Sequence, residues 1–410
     1  MDIGTLGVYV CLFAALYFEV FLLISFFENR PALKTSALPK RFPTVSIVVP
    51  SFNEERTLAQ TIRSLMALDY PKEKLNVIIV DDGSTDNTRN IADALAAEHS
   101  QVEYLYKENG GKYTALNLGI QASHAELVGC LDADSFTSPD ALIEVVKRFE
   151  EDPSVMAIMP AMKVYRPKSM LERMQAVEYT FGVFYKKMFD NLAALNVLPG
   201  PFSLYKREVF EKIGPFHHAH NTEDMEIAFR MHANGLKIVN AHTATVYTTV
   251  PKTVRALLRQ RTRWSQGFLE NSRDYKYMYF NPRYGNFGLL VLPFGLFAFF
   301  AGLYSAFYAL YTLTSLVLTH VLDMQATKIP LNLAMPRLDW FYVDGGMMLV
   351  TTLIVLCFTL TAIALGNHIA QNKLGALSFL SYFALFGFIA PIWLARAAWG
   401  AMRSTPASWR

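Results

Sequence analysis

The chain reads VSIVVPSFNEE over residues 45–55, LNVIIVDDGS over residues 75–84 and LVGCLDADS over residues 127–135. Each segment begins with a short run that is rich in apolar and β-branched residues, and it then becomes polar. Runs of this length and composition are typical of strands that are buried on both faces of a parallel sheet. We therefore predict a buried strand at the start of each segment.

Helical patterns separate these strands along the chain. Residues 53–68 and 87–97 are predicted to be helices, and a third helix is expected from Lys112. Residues 104–106 are predicted to be a further short strand. Strands that alternate with helices at this spacing indicate an α/β fold with a parallel, doubly wound sheet.

Acidic pairs stand at two of the predicted strand ends. Asp81 and Asp82 follow one strand, and Asp132 and Asp134 follow another. In such sheets the ligand binds beyond the carboxyl ends of the strands. Turn formation and helix capping are the alternative reading of polar residues here, but that reading suits their neighbours better than the pairs: Ser84, Thr85, Asp86 and Ser138.

The triplet Asp132-Ala133-Asp134 is a candidate metal site. Its two carboxylates lie on the same side of an extended segment, about 7 Å apart. Like charges this close repel each other, and a cation relieves the repulsion. Carboxylate oxygens suit Mg²⁺ or Mn²⁺, which commonly bridge to substrate phosphates and neutralise a departing diphosphate.

The composition indicates a membrane protein with one sizeable polar domain. Of the 410 residues, 52% are hydrophobic and 18% are charged. The net charge of +3 is too small to indicate a nucleic-acid partner, and the three cysteines have no metal-ligand spacing. Four apolar stretches are long enough to cross a bilayer: residues 3–27, 284–322, 345–372 and 374–395.

Basic residues beside the apolar stretches predict the orientation in a plasma or inner membrane. The first stretch lacks the basic start and the cleavage site of a signal peptide, so we interpret it as a retained helix. Four basic residues that follow it place the polar domain in the cytosol: Arg30, Lys34, Lys40 and Arg41. Three arginines near the end of the chain favour a cytosolic C-terminus and an odd number of spans: Arg396, Arg403 and Arg410.

The number of C-terminal spans is left at three or four. The uncharged run over residues 284–322 contains Pro293. It is either one helix with an interfacial piece or a tight hairpin.

Residues 171–188 repeat apolar side chains at helical spacing, for which packing is the default interpretation.

A short acidic motif, Thr222-Glu223-Asp224, precedes a helical pattern. Thr222 can cap that helix, and acids in a first turn complement the helix dipole. This structural explanation competes with a catalytic one, in which a carboxylate removes a proton from an attacking hydroxyl. The nearby histidines 217, 218 and 220 form a loop cluster that we do not interpret as a metal site.

Gln260-Arg261-Thr262-Arg263-Trp264 fits the pattern QxxRW. The surrounding segment is amphipathic and basic, as expected of a helix on an anionic membrane surface. Arg263 can also pair with diphosphate oxygens in a bidentate way. Trp264 offers a flat face on which a sugar can stack.

Together these motifs resemble those of the family 2 glycosyltransferases with the GT-A fold. The similarity covers about residues 44–268, with the motifs PSFNE, DDGS, NGGK, DAD, TED and QRTRW in the order of the family. Within the family the chain resembles the membrane-bound polysaccharide synthases, which make cellulose, chitin, hyaluronan and poly-N-acetylglucosamine.

The resemblance implies how a UDP-sugar donor is bound. Asp82, with Asp81 beside it, is expected to hold the uracil and the ribose. Four residues are expected to line the nucleotide pocket: Pro50, Phe52, Asn53 and Glu54. Lys112 is expected near the diphosphate, although a solvated residue at a helix start is the alternative. Asp134 is the expected main ligand of Mg²⁺ or Mn²⁺, and Asp132 lies nearer the ribose.

The resemblance also implies the catalytic and acceptor residues. Asp224 is the expected general base, with Glu223 next to it. The acceptor and diphosphate side is expected to contain Gly200 and Pro201 together with three residues of the QxxRW motif: Gln260, Arg263 and Trp264.

The implied function is a processive β-polysaccharide synthase that uses UDP-N-acetylglucosamine or a related donor with inversion. The alternatives are single-sugar transfer to a lipid acceptor and a non-catalytic membrane scaffold. A secretion channel would require a homo-oligomer or an accessory subunit. Neither the sugar nor the linkage follows from the sequence.

The expected organisation has five parts. A transmembrane helix (1–28) precedes the GT-A domain (29–250) and an amphipathic interfacial segment with QxxRW (251–283). A C-terminal transmembrane region (284–400) and a tail (401–410) follow.

Overall fold

The computed structural model of the chain describes residues 3–29, 38–327 and 347–403. Arg30, Lys34 and Arg410, on which part of the predicted orientation depends, lie outside these ranges, as does most of the predicted tail. The eight strands in the described part are β1 Val45–Ser51, β2 Leu75–Asp82, β3 Val102–Lys107, β4 Leu127–Cys130, β5 Ser135–Thr137, β6 Val155–Val164, β7 Ser203–Lys206 and β8 Lys237–Thr248.

Twelve α-helices are present in the same ranges. They are α1 Ile3–Glu28, α2 Leu58–Met66, α3 Thr88–Glu98, α4 Lys112–Ala122, α5 Ala141–Glu151, α6 Met170–Asn191, α7 Glu208–Ile213, α8 Glu223–Ala233, α9 Val254–Asp274, α10 Leu292–Thr327, α11 Met347–Ile369 and α12 Ala376–Arg403.

All eight strands form one sheet, in the order β3-β2-β1-β4-β7-β6-β8-β5. The strands β3, β2, β1 and β4 are parallel, as the alternation of strands and helices predicts. The expectation of a parallel sheet is wrong beyond β4, because β7 runs antiparallel to both β4 and β6, and β5 runs antiparallel to β8. The α/β fold class is confirmed, with a mixed sheet.

Helices cover both faces of the sheet because alternate residues of each strand point to opposite sides. Ile47 and Val49 of β1 belong to a core with α2, α3 and α5. Val48 of the same strand belongs to a second core with α4, α7 and α8. Because helices cover both faces of the sheet, the edge at the carboxyl ends of the parallel strands is the side that remains open.

Two element boundaries differ from those predicted. Asp81 and Asp82 are the last residues of β2 and do not follow it. The helix expected from Asn53 begins at Leu58. Asn53 has a left-handed backbone (φ 56°), and its side-chain oxygen accepts a hydrogen bond from the Thr85 amide at 2.8 Å. This loop conformation delays the helix by about one turn.

Among the described residues, four helices are long and apolar enough to cross a membrane: Ile3–Glu28, Phe287–Ala326, Leu349–Ile369 and Ala376–Arg403. The uncharged run after the domain forms one continuous helix, α10, which follows a π-helical turn at Phe287–Val291. Thr359 of α11 donates a hydrogen bond of 2.8 Å to Glu19 of α1. This contact ties the two helices together.

The helix α6 connects the domain to the apolar helices. Phe184 and Met188 of α6 pack in a cluster with residues of α1 and α11. Met174 and Val177 pack with residues of α12. The repeat of apolar residues over 171–188 is therefore used for packing, as its spacing predicts.

At Gly119, helix α4 packs closely against strand β1 of the sheet. A Cβ atom at this position would overlap the Val48 side chain of β1. We expect Gly119→Ala to lower the free energy of unfolding by about 1–3 kcal/mol, because a core this tight has no room for an extra methyl group. Thermal unfolding of the purified protein measures the change.

The control is Gly182→Ala in α6, where a Cβ would meet nothing within 4 Å. This variant should unfold at or slightly above the wild-type temperature. Equal stability of Gly119→Ala and wild type would contradict the packing described.

Candidate active site

A cleft of about 490 Å³ lies where the ends of β1, β2 and β4 face the helices α6, α8 and α9. Its wall contains all of the predicted site residues except Asn53 and Asp81. The predicted residues that line it are Pro50, Phe52, Glu54, Asp82, Lys112, Asp132, Asp134, Gly200, Pro201, Glu223, Asp224, Gln260, Arg263 and Trp264. Acids that are far apart in the chain therefore converge on one space.

Asn53 and Asp81 lie behind the wall and shape it. Asp81 accepts hydrogen bonds from the Ser84 amide at 2.8 Å and from the Tyr104 hydroxyl at 3.2 Å. The Asn53 contact with Thr85 fixes the facing loop. Both side chains thus hold backbone in place, and neither lines the cleft.

Asp82 organises the glycine turn that precedes α4. Its carboxylate accepts hydrogen bonds from the amides of Gly110 (3.0 Å) and Gly111 (2.9 Å), and it pairs with Lys107 at 2.6 Å. Gly111 has a φ of 91°, which favours glycine. This turn directs the next residue, Lys112, into the cleft.

Lys112 joins two of the motifs through ion pairs. Its ammonium lies 2.6 Å from Asp132 and 3.2 Å from Glu223. Burial acts to lower the pKa of Lys112, but the carboxylates of Asp132 and Glu223 outweigh it and raise the pKa above its usual range. Lys112 is therefore not a solvated residue at a helix start.

Gly200 lies directly over this ion pair. A Cβ atom there would fall 2.5 Å from the Lys112 nitrogen and 2.6 Å from an Asp132 oxygen. A side chain at position 200 would therefore have to displace the ends of Lys112 and Asp132, and glycine leaves this ion pair in place.

Asp134 is half-buried and faces other acids. It accepts hydrogen bonds of 3.2 Å from Ser135 and Thr249. Burial raises its pKa to about 7, and the carboxylates of Asp132 and Glu54 add to the rise. Three carboxylates in one cleft wall make a place where a cation would be strongly favoured.

The residues present fit a divalent cation that keeps part of its water. In the described ranges, no group of three or more His, Cys, Asp or Glu side chains is arranged to hold a metal. Mg²⁺ and Mn²⁺ need only one or two carboxylates when water and substrate phosphates complete the shell. Asp134 and Asp132 can supply that pair.

The histidines before α8 contact protein groups. His220 lies 2.8 Å from Asp274 and 3.5 Å from Glu270, both in α9. His217 lies 3.6 Å from Glu226. These contacts attach the loop to helices on either side of it.

Asp224 occupies the first turn of α8, and its side chain faces the cleft. Burial raises the pKa of Asp224 to about 6; the Glu223 carboxylate adds to the rise, and Lys112 opposes it. For Glu223, burial acts in the same direction, but the nearby Lys112 ammonium holds its pKa below the ordinary value. Two adjacent carboxyls therefore differ in proton affinity.

Thr222 occupies the N-cap position of α8, but its side chain makes no capping hydrogen bond, so this part of the structural interpretation is wrong. Its hydroxyl donates to the Ala219 carbonyl at 3.0 Å and accepts from Asn271 of α9 at 2.9 Å. A Cβ atom at Gly267 of α9 would overlap the Thr222 side chain. Because α9 packs closely here, the Thr222 hydroxyl bonds to Asn271 of α9 and not to an amide in the first turn of α8.

The loop before Asp224 has an unusual backbone. Ala219, His220 and Asn221 have successive φ values of 42°, 54° and 61°, in the left-handed region that disfavours residues with side chains. Arg263 of α9 donates a 2.7 Å hydrogen bond to the Asn221 carbonyl. The QxxRW helix thus holds the strained loop that positions Asp224.

Trp264 lines the cleft with one side covered. The guanidinium of Arg261 lies 4.2 Å from the centre of the indole and pairs with Glu178 of α6 at 3.0 Å. This arrangement fixes the plane of the ring and links α9 to α6.

One face of α6 was missed by the sequence reasoning. Glu178, Gly182 and Lys186 line the cleft at intervals of four residues, on the side away from the packed apolar face. Burial lowers the pKa of Lys186 to about 8, which Asp224 partly offsets. Lys186 has no hydrogen-bond or ion-pair partner in the described part of the chain. Lys186 interrupts an otherwise apolar helical pattern, and this feature of the sequence could have indicated that a second face of α6 is functional.

Comparison with known proteins agrees with this geometry. Residues 46–214 match the family described as Glycosyl transferase family 2. A poly-beta-1,6-N-acetyl-D-glucosamine synthase of Staphylococcus aureus (strain COL) is 31% identical over 224 residues, which is 54% of each chain. That of Staphylococcus epidermidis is 30% identical over 261 residues, 62% of this chain and 63% of that protein. The chain thus spans between half and two thirds of the length of these relatives.

A solved structure has the same fold. The mannosyltransferase PcManGT from Pyrobaculum calidifontis, in complex with GDP-Man and Mn²⁺, superposes with a TM-score of 0.62. The alignment covers 97% of this chain and 99% of that chain, at 20% sequence identity. At this identity the likeness shows the fold alone.

The domain has the fold of a solved glycosyltransferase, and it is joined to apolar helices that are long enough to cross a membrane. The match of residues 46–214 to Glycosyl transferase family 2 and the similarity to the two synthases agree with the predicted family and enzyme class.

Proposed function

We propose that the chain is a membrane-bound, metal-dependent, inverting glycosyltransferase that extends a β-linked polysaccharide from a UDP-sugar, with an N-acetylglucosamine donor favoured. The convergence of Asp82, Asp134 and Asp224 on one cleft carries this proposal. The names of the two staphylococcal relatives support the choice of donor and product. We place the domain on the cytosolic side, where UDP-sugars are available.

We propose separate roles for the acids, and their positions in the cleft support this division. Asp224 accepts the proton of an acceptor hydroxyl as the oxygen of that group bonds to the anomeric carbon. The bond from the same carbon to the diphosphate breaks on the opposite face, and the electron pair leaves with UDP. Arg263 and Lys112 lie on the wall where the diphosphate charge would develop. Fixed charges in such a cleft stabilise the transition state without reorganisation.

Asp134 and Asp132 would hold the divalent cation, which would neutralise charge on the departing diphosphate. Asp82 would support the nucleotide through the glycine turn that it organises. Pro50, Phe52 and Glu54 would surround the base and ribose.

Asp224→Asn tests the catalytic base. We expect UDP release from UDP-N-acetylglucosamine to fall by about 10²-fold or more, because an amide cannot accept the proton. In the wild type, the rate should fall as the pH drops below about 6, since the carboxyl is then protonated. A UDP-release assay across pH measures both effects.

The control is Asp93→Asn, which changes an exposed acid on α3. It should leave the rate and the pH profile unchanged. If Asp224→Asn keeps more than half of the activity, Asp224 is not the base.

Metal dependence gives a second test of the site. A chelator should abolish transfer, and Mn²⁺ or Mg²⁺ should restore it. We expect Asp134→Asn to raise the cation concentration for half-maximal activity at least tenfold, because the cation loses a carboxylate ligand while the fold is kept. Cation titration of the UDP-release rate measures this, with Asp93→Asn as the reference. Full activity in the presence of the chelator would contradict the proposed dependence of transfer on a divalent cation.

Lys186 favours one alternative acceptor. Its ammonium, which has no hydrogen-bond or ion-pair partner among the described residues, lines the cleft together with Asp224 and suits an acceptor with an anionic group, such as a lipid phosphate. Single-sugar transfer to a lipid is therefore the second candidate function.

Product size separates the two candidates. Membranes given labelled UDP-N-acetylglucosamine are expected to yield a ladder of water-soluble polymer, because the relatives are polymer synthases. A single labelled species that partitions into organic solvent, and that is lost in Lys186→Met, would instead establish transfer to a lipid. Gel electrophoresis and solvent extraction of the same reaction distinguish the outcomes.

A further inference from the structure

The three histidines that precede α8 each contact a different helix of the domain. His217 lies 3.6 Å from Glu226 of α8. The ring of His218 meets the ring of Tyr113 in α4 edge to face, with 5.5 Å between the ring centres. His220 contacts α9. The same three helices carry residues of the cleft: Asp224 on α8, Lys112 on α4 and Arg263 on α9. The histidine loop therefore joins separate parts of the candidate site.

His220 faces two carboxylates of α9. Its Nε2 atom lies 2.8 Å from Asp274, and its Nδ1 atom lies 3.5 Å from Glu270. A neutral imidazole has one N–H donor, whereas an imidazolium has a donor on each nitrogen. The charged ring is therefore attracted to both acids at once.

The positions of Glu270 and Asp274 are unfavourable for α9 by itself. Asp274 is the last residue of the helix, and a negative charge near a helix C-terminus opposes the helix dipole. Two acids four residues apart also repel each other on a helix surface. A cation that lies against both acids offsets both effects. The contact with His220 thus accounts for the presence of two acids at this end of α9.

The same histidine is the middle residue of a strained stretch of backbone. The residues at 219–221 all have positive φ values, and none of them is glycine. Strained backbone of this kind persists where the surrounding structure holds it in place. Arg263 and Asn271 of α9 donate hydrogen bonds to the two residues that follow His220. The helix α9 therefore holds three consecutive residues directly before Glu223.

Asp224 is fixed between this held loop and a second contact. Glu223, the first residue of α8, is held from the cleft side by Lys112 at 3.2 Å. A movement of the loop would therefore turn the first turn of α8 and displace Asp224. Because Arg263 and Trp264 also lie on α9, attachment of the loop to α9 sets the distance from Asp224 to the acceptor side.

We propose that His220 is a positioning residue for glycosyl transfer: by pairing with Glu270 and Asp274 it fixes the loop before α8 to α9, and it thereby fixes Asp224 relative to the acceptor side of the cleft. This inference rests on the proposed role of Asp224 as the base. A partly exposed ion pair contributes little to the free energy of unfolding. The consequence of the contact is therefore local, in the placement of one carboxylate.

Asp274→Ala removes a partner of His220 without changing the loop. The Asp274 side chain is 54% exposed at the end of α9, so we expect this variant to unfold near the wild-type temperature. The kcat of UDP release should fall about tenfold, because a small displacement of a reacting group slows the chemical step. The KM for UDP-N-acetylglucosamine should stay close to that of wild type, whereas damage to the whole domain would change both constants.

His220→Asn breaks the same contact from the loop side. Asparagine tolerates left-handed backbone as histidine does, so the strain is unchanged while the imidazole is lost. We expect the same loss of kcat, with no further loss in the double variant with Asp274→Ala, because both changes remove one interaction. The matched control is His124→Ala, an exposed histidine between α4 and β4, which should leave kcat and KM unchanged. A kcat close to that of wild type in both Asp274→Ala and His220→Asn would overturn the inference.

Hydrogen exchange of the full chain in lipid nanodiscs measures the loop without catalysis. The amides of residues 219–225 should exchange several times faster in Asp274→Ala and in His220→Asn than in wild type, while the amides of β1 and β2 keep their rates. Exchange of residues 219–225 at the wild-type rate in both variants would also overturn the inference.

Two further outcomes separate this inference from the proposed function. In an Asp224→Asn background, Asp274→Ala should not lower the residual rate further. An additional loss would mean that His220 acts through another residue, which contradicts the inference while leaving the proposed function intact. A wild type that releases no UDP from any donor would refute the proposed function, and the exchange comparison would then decide alone whether His220 holds the loop before Asp224.

Discussion

The ammonium of Lys112, whose side chain is 14% exposed, holds the candidate active site together. Seven carboxylates line the same cleft, and holding them side by side is unfavourable unless cations lie among them. Lys112 pairs with Asp132 after β4 and with Glu223 at the start of α8. The turn that delivers Lys112 depends on Asp82 at the end of β2. Three motifs from distant parts of the chain are thus connected by one cation.

The same ammonium shifts the pKa values of two adjacent acids, Glu223 and Asp224, to different extents. Glu223 contacts Lys112 directly and has a lowered pKa, whereas Asp224 lacks that contact and its pKa is raised to about 6. A carboxyl that remains ionised in an ion pair serves structure. A neighbour with a pKa closer to neutrality is better suited to accept and release a proton. The position of one lysine therefore distinguishes the structural acid from the candidate base.

Much of the domain could be predicted from the sequence because its information is local. Buried strands are recognisable by their apolar runs, and acids at their ends share one edge of the sheet by simple topology. The antiparallel strands β7 and β5 could not be placed in this way, since their pairing depends on long-range contacts. Thr222 shows the same limit, because its capping role is lost to Asn271, a residue 49 positions away.

The helix α6 shows why part of the cleft was missed. Periodicity identifies the face that is apolar, but it does not say what the other face meets. In this chain one face of α6 packs on membrane helices, and the other, with Glu178 and Lys186, closes the cleft. The helix α9 is also two-sided, with Leu257 toward α12 and Trp264 toward the cleft. The same two helices therefore contact both the apolar helices and the cleft, so that one helical pattern carries two kinds of information.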